Sequence, residues 1–516
     1  MKILKNNWQL ILFNIITLLI FIIGYGHFGD IIVDSFREAY ISLEVFKGQI
    51  LYKNIFTIYA PFSYLFNALL FRIFGVHLSV LYFFGFLTTL GILNLTYLIA
   101  NCFMNKTYSL SIILFVISVS VLSPNVFNFL FPYSYGILYG LLFILASIYF
   151  ALKDKFQFAY LMYSFAICSK YEFVFLLPLL LYVTRTKYLW KNILAILLPF
   201  LITYTPLFVM GVKIEDIITS FELILIMSSS KTIYWFYSIM GLTFRLELIP
   251  IYIMNFLKIF VPLLFIFYFR SWWLILLTII YFYFIVTPEL FIYAFPLILI
   301  LLVCRFSAIN HEKLFFVLAS LLVSMKIFFA ETFMSYGVFF IPFALISIFI
   351  LIPQRYKKSL FIILLICALN FGIKNVISLT HKNVKINTEQ GIVYTYENSV
   401  KETIDYINDN TNSDDSVIVY PECLAVNFMT GRKSDNKFYS LIPLYVETFG
   451  EGIVIKRLEL IKPKYIIISN YNTSNYYYSF FGQDYAGEIY NYVLKNYTPQ
   501  KEFGKKLMFI VYRRNM

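Results

Sequence analysis

Long apolar runs with short polar interruptions occupy the first three-quarters of the chain, and their lengths carry the first inference. A helix needs ~17–25 apolar residues to cross a bilayer. Runs of that order sit near 8–26, 77–103, 108–123, 134–152, 191–210, 250–269, 272–287, 290–304, 313–330, 336–353 and 358–376. Two shorter runs, about 157–168 and 172–184, meet at Ser169-Lys170-Tyr171-Glu172 and read as a pair of short helices. The pattern predicts an α-helical polytopic membrane domain of about thirteen transmembrane helices over residues 1–376.

Two polar intervals are too long to be simple turns: a first outer loop, 27–76, and a partly apolar loop, 211–248. After residue 377 the period changes, because charges, Asn and Tyr replace the apolar runs. Val400, Ile404 and Ile407 recur at helical spacing within 398–410. The runs SVIVY (416–420) and YIIIS (465–469) suit buried parallel strands, with helical patterns at 450–461 and 485–496 and a last strand, LMFIVYRR. Residues 377–516 are therefore expected to form a small α/β domain. It carries no GxGxxG and no Walker-type loop, so no nucleotide site is expected.

Composition agrees with the pattern. Of the 516 residues 60% are hydrophobic and 13% charged, with a mean hydropathy of +0.78; soluble domains carry about 25% charged residues. The net charge of +13 suggests a nucleic-acid partner until its distribution is considered. Lys2 and Lys5, Lys106, Lys153 and Lys155, Arg185, Lys187 and Lys191, Arg270, Arg305 and Lys313, and Arg355, Lys357 and Lys358 fall in alternate inter-span segments. That is the positive-inside distribution, with membrane lipids rather than nucleic acid as the partner. It places the N-terminus in the cytoplasm and the C-terminal domain outside the cell membrane. The first span lacks a small-residue cleavage site and reads as uncleaved. Five cysteines without CxxC or Cys/His spacing make neither a disulfide framework nor a metal site.

Candidate chemistry gathers in Gly29–Gly75. Ser35-Phe-Arg-Glu38 before an apolar-periodic run is a capping-box pattern, and the helix it opens should run to Lys47 and stop at Gly48. That explains Ser35, Glu38 and Gly48 structurally. It leaves Asp30 and Asp34 over. Charged groups at a membrane surface are costly and mark functional sites, and a carboxylate at the mouth of a bundle is placed to act as a base.

The ordered series Asp34-x-x-Arg37-Glu38-x-x-Ile41, Gly48, Leu51-Tyr52, Tyr59-Ala60-Pro61, Ala68 and Phe74-Gly75 resembles the first outer loop of the GT-C glycosyltransferases, whose members include the aminoarabinose transferase ArnT and the protein O-mannosyltransferases. Further matching segments are Phe131-Pro-Tyr-Ser-Tyr-Gly136, Ser169-Lys170-Tyr171-Glu172, Phe428-Met-Thr-Gly-Arg432, Lys462-Pro-Lys-Tyr465 and Phe481-Gly-Gln-Asp-Tyr485. The resemblance implies a hexosyl- or pentosyltransferase that moves a sugar from a polyprenyl-phosphate donor to an envelope glycan, lipid or protein acceptor on the outer face. Asp34 falls at the family's catalytic aspartate, which implies a general base in an inverting displacement. The leaving phosphate calls for cations: Lys170 first, with Glu172 beside it, then Arg37 with Glu38, then Arg245. Tyr52 and Tyr59 join the site only as members of the loop pattern.

The chain departs from the family where many relatives carry a second outer-loop acid, for it reads Asn128-Phe-Leu-Phe-Pro-Tyr-Ser-Tyr135 there. A divalent metal is therefore not supported, and no other cofactor is implied. His27, His77, His311 and His381 make no ligand spacing, and Glu289 and Glu331 begin outer turns, placed either to line the cavity or, more commonly for such residues, to stand as solvated loop carboxylates. A transporter or flippase of lipid-linked sugars would show repeated halves and charges at the midplane, which this chain does not. A polymerase or ligase shares the chemistry but lacks the Asp-x-x-Arg-Glu series, and a scaffold gives no reason for Asp34 or Lys170.

Overall fold

The computed structural model describes residues 8–184, 189–226, 249–250, 253–254, 257–258, 272–285, 294–324 and 335–515. Helix α1 (Trp8–Ile23) opens the bundle, and the first outer loop carries α2 (Ser35–Phe46) and α3 (Phe62–Phe74). The chain continues through α4 (Leu78–Phe103), α5 (Lys106–Val116, extended by a π-turn over Ile117–Val121), α6 (Tyr135–Leu152) and α7 (Phe156–Ser169). A 3₁₀ segment, Tyr171–Leu176, leads into α8 (Leu177–Thr184), α9 (Leu189–Val209) and α10 (Ile214–Ile226). Then come α11 (Trp272–Ile285), α12 (Ala294–Arg305), α13 (His311–Val323), α14 (Ile341–Leu351) and α15 (Gln354–Thr380).

The outer surface of the bundle is apolar. Leu12, Ile15, Leu19 and Ile22 on α1 are exposed, as are Leu194, Leu197, Leu201 and Ile202 on α9. So many exposed aliphatic side chains on neighbouring turns belong in lipid rather than water. Among the described residues, α4, α6, α9 and α15 are long and apolar enough to cross a membrane. About thirteen spans were expected. The short pair is present as expected, with α7 ending at Lys170 and the 3₁₀ segment and α8 following it. Much of 250–269 and 325–334 lies outside the described residues. Helix α3 was not anticipated: its 13 residues are too few to span, yet Phe62 and Phe66 pack edge-on against Tyr139 of α6. Part of the expected 211–248 loop is helical, as α10; residues 227–248 lie outside the described residues.

Beyond α15 the chain forms a hairpin, β1 (Val384–Thr388) and β2 (Gly391–Thr395), then α16 (Asn398–Asn410) and β3 (Val417–Tyr420). Helices α17 (Ala425–Thr430), α18 (Pro443–Phe449) and α19 (Glu451–Ile461) cross over to β4 (Tyr465–Ser469), and α20 (Gly487–Asn496), β5 (Tyr497–Phe503) and β6 (Phe509–Arg514) complete the domain. The sheet runs β3-β4-β6-β5, with β3 and β4 parallel and the rest antiparallel. The expected strands and helices are found; the hairpin, α17, α18 and β5 are additional.

The hairpin clamps the two ends of the first outer loop. The Tyr394 amide donates to the Gly26 carbonyl (2.9 Å), its ring stacks on His27, and the Leu78 amide donates to the Gln390 carbonyl (2.6 Å). Phe428 of α17 sits against both Phe36 of α2 and Phe71 of α3 at ring distances of 5.9 and 6.1 Å. One buried apolar cluster thus continues from the bundle into the C-terminal domain.

Candidate active site

Gly29 opens the site-bearing segment with φ +80°, and a Cβ there would lie 2.5 Å from the Phe131 ring. Asp30 follows and folds the chain back on itself, its Oδ1 accepting the amides of Ile32 (2.7 Å) and Val33 (3.3 Å) in an Asx-type turn. Asp34 then adopts φ +54°, a region that costs a non-glycine residue energy and recurs at functional sites. The capping box expected from Ser35 and Glu38 does not form. Asp34 is the N-cap and makes no side-chain cap bond, while the Ser35 hydroxyl accepts the Asp30 amide instead. Glu38 points into the core, where its Oε2 accepts the Tyr135 amide (3.1 Å) and the Ser63 hydroxyl (3.5 Å). Tertiary partners outcompete the local cap. Burial raises the Glu38 carboxyl above the usual range against the pull of Arg37.

Arg37 is almost fully buried and pairs through Nη1 with Asp34 Oδ1 at 2.6 Å. Its Nε and Nη2 are buried with no hydrogen-bond partner. The guanidinium lies 5.0 Å from the centre of the Tyr59 ring, and the Lys170 ammonium lies 5.2 Å from the same ring. Two cations predicted from separate stretches thus flank one tyrosine. Lys170 occupies the break between α7 and the 3₁₀ segment, donates to the Tyr133 hydroxyl (3.2 Å), and is also near the Tyr133 and Tyr336 rings. Tyr336 in turn hydrogen-bonds Glu172. Tyr52 stands further back, donating to the Tyr59 carbonyl (2.8 Å), so it positions Tyr59. Arg245 lies outside the described residues.

The C-terminal domain adds a carboxyl that sequence reasoning did not select. Glu422 follows β3 and is only 7% exposed. Cys423 next to it reaches the Ile31 carbonyl (3.8 Å), and the Leu441 amide pins the Pro421 carbonyl (2.8 Å). Burial first, then the nearby Asp34 charge, pushes the Glu422 carboxyl up to about 8, with Arg37 pulling the other way. Tyr439, Tyr445, Tyr471, Tyr476 and Tyr485 lie within range of the Glu422 charge. A lone Pro-Glu after a short strand gives no sequence signal. A tyrosine-rich tail was visible in the sequence, though not where it would fold.

Asn128, where an acid was missing, is spent on its own loop: its Oδ1 accepts the amides of Leu130 (2.9 Å) and Phe131 (2.6 Å). Among the described residues no group of three His, Cys, Asp or Glu side chains is arranged to hold a metal ion. Asp34 is paired with Arg37.

No known protein-family profile matches the chain, and neither does any curated protein sequence. Solved structures do. The architecture is the GT-C fold of membrane glycosyltransferases. The oligosaccharyltransferase AglB of Archaeoglobus fulgidus, solved with an inhibitory peptide and a dolichol-phosphate, aligns over 99% of this chain and 75% of its own with TM-score 0.52 and 9% identity. A second structure of that enzyme, with zinc and sulfate, gives 0.50 over 98% of this chain and 73% of its own at 10% identity. ArnT of Cupriavidus metallidurans, bound to undecaprenyl phosphate, aligns over 98% of both chains at 12% identity with TM-score 0.45. At such identities the likeness concerns the fold.

Proposed function

We propose that this chain is an inverting glycosyltransferase that moves a sugar from a polyprenyl-phosphate carrier to an acceptor hydroxyl or amide at the outer membrane face. The observation that carries this reading is the meeting of Asp34, Arg37 and Lys170 around Tyr59, between the bundle and a docked polar domain. AglB, of the same fold, was solved with a dolichol-phosphate, a carrier of that chemistry. Residues 1–376 form the catalytic membrane domain and 377–516 the outer domain, with the N-terminus cytoplasmic.

Asp34 takes the acceptor proton as the acceptor atom attacks the anomeric carbon. The bond to the phosphate oxygen breaks on the opposite side, which inverts that centre. Arg37 holds Asp34 in place through the 2.6 Å pair and offers its Nε and Nη2 groups to the phosphate. Lys170 supplies a second charge for the departing anion. Glu172 orients Tyr336 beside Lys170, Glu38 fixes the start of α6, and Tyr52 holds Tyr59 in place.

Asp34→Asn tests the base. Purified protein given a labelled undecaprenyl-phosphate sugar and membrane acceptor extract should release carrier phosphate ~10²–10⁴-fold more slowly in the variant, with donor binding retained. Turnover within a few fold of the native rate would sink the assignment.

A further inference from the structure

A polar cavity of about 640 Å³ opens at one end of the C-terminal sheet, within the ~300–1,000 Å³ of small-molecule sites. Three strand ends frame it: Ser416 just before β3, Lys464 just before β4, and Arg513 and Arg514 at the end of β6. The backbone laces them together, with the Lys464 amide donating to the Ser416 carbonyl (3.0 Å) and the Arg514 amide to the Lys464 carbonyl (3.1 Å). The stretch Lys433–Asp435 closes one side, for Lys433 bridges to Ser416 and its carbonyl accepts the Val417 amide (2.9 Å). Lys462 completes the rim at φ +50°, a left-handed position where glycine costs least. The segment Lys462-Pro-Lys-Tyr465, singled out in the sequence and unused in the displacement, thus arrives at a cavity.

Charge decides what fits there. Five cations, Lys433, Lys462, Lys464, Arg513 and Arg514, line the cavity with three carboxylates, Asp414, Asp415 and Asp435. Lys464 pairs with Asp415 at 2.7 Å and Lys433 with Asp435 at 3.1 Å. Lys462, Arg513 and Arg514 are exposed and make no ion pair with a described residue, so five cations against three acids leave an excess of two positive charges. Among the described residues that line it, only Ile461 is apolar, so the cavity offers no surface to an acyl chain. Ser416, Asn515 and the carboxylates supply donors and acceptors for sugar hydroxyls, and the guanidinium forks suit a carboxylate or a phosphate.

We propose that this cavity is a subsite for an anionic glycan, a chain bearing carboxylate or phosphate groups, and that it grips the acceptor of the transfer away from the reacting atom. The acceptor role rests on the glycosyltransferase reading above. The cavity is tied to the element that carries the base: Ser434, between Lys433 and Asp435, hydrogen-bonds Tyr40 of α2. Tyr40 stands six positions after Asp34, about 9 Å along the helix at ~1.5 Å per residue. Such a separation suits an oligosaccharide rather than a single sugar.

The test titrates the full-length protein in detergent micelles with tetragalacturonate, phosphorylated maltotetraose and neutral maltotetraose. The native protein should bind at least one anionic probe about tenfold or more tighter than maltotetraose, and the probe preferred identifies the anion. Lys462→Gln combined with Arg514→Gln should weaken that binding about tenfold or more, since a bond to a charged group is worth about a decade. Lys456→Gln with Lys505→Gln removes the same charge from exposed positions outside the cavity and should leave binding within about twofold. Equal loss in both pairs, or binding of all three probes alike or of none, overturns the subsite. So does capture of phosphatidylglycerol from the micelles in place of the tetraoses, which would assign the cavity to a lipid headgroup. With labelled undecaprenyl-phosphate sugar and membrane acceptor extract, the cavity pair should raise the acceptor KM and keep kcat, as loss of uniform binding does; an unchanged KM overturns the acceptor role. Native turnover without anionic-glycan binding sinks the cavity alone. Glycan binding by a native protein that shows no turnover sinks the transferase reading and the acceptor role with it, and leaves the subsite standing.

Discussion

Lys382 lies just past the end of α15, and its ammonium is sealed against two carbonyls, Gly29 (2.6 Å) and Pro124 (2.9 Å). It thereby ties the start of the Asp30–Asp34 turn to the second outer loop. Burial lowers it to about 8, with Asp30 pulling the other way. The sign follows from proton counts. Between about 8 and the ordinary lysine value of ~10.4 the unfolded chain binds a proton that the folded chain does not, so folding gains stability as pH rises. Thermal unfolding should therefore show the native protein gaining on Lys382→Met from pH 8 to pH 10; a constant gap would show that the ammonium is not desolvated. Lys382 had no sequence signal at all, standing in a tail among other lysines. Asp34, Arg37 and Lys170 were legible because their charges interrupt apolar surroundings, a cost that needs a reason. Glu38 was legible as a residue and misread in role, because a pattern four residues long cannot reveal the Tyr135 amide almost a hundred positions away.

At the scale of elements, α2 is held by what lies across it. Tyr40 meets Ser434, the Lys47 ammonium donates to the Gly431 carbonyl (3.0 Å), and Phe36 meets Phe428. Phe428 is completely buried, and truncating a buried phenylalanine costs ~3–5 kcal/mol through lost transfer energy and the cavity left behind. Phe428→Ala should lower the unfolding midpoint and loosen the seat of α2, reducing carrier-phosphate release although Phe428 touches no reacting group. Native turnover alongside a lowered midpoint would show that α2 keeps its place unaided. Elements with long or strongly periodic apolar runs, such as α4 and the β3–β4 pair, could be read from the chain. Helix α3 could not, since 13 residues fit neither a span nor an exposed amphipathic helix. The hairpin of five-residue strands was hidden for a related reason: its order comes from Gly26 and His27, which lie far off in sequence.

For the whole molecule, the GT-C architecture places an apolar bundle below and a polar α/β domain above, with the site where the two meet. That arrangement predicts an all-or-none dependence. A chain ending at Thr380 keeps Asp34, Arg37 and Lys170 but loses Glu422, the tyrosines near it and the cover over Phe36 and Phe71. It should insert into membranes and release no carrier phosphate; retained turnover would show that the domain is dispensable. The bundle was readable from hydropathy alone. The meeting of the two parts was not, because docking surfaces such as the Phe36–Phe428 contact look like any other buried aromatic when read along the chain.

The distance in sequence between Asp34 and Glu422, nearly four hundred residues, has a consequence for biosynthesis. At ~5–20 residues per second, a ribosome takes about 20 to 80 s to travel from one to the other. Throughout that interval Asp34, Arg37 and Lys170 are already made, while Phe428, which covers Phe36 and Phe71, is not. If the proposed function holds, a lipid-linked sugar reaching the unfinished protein meets a site without its outer domain. On the reading proposed above, transfer waits until the segment 377–516 has emerged and docked on the first outer loop.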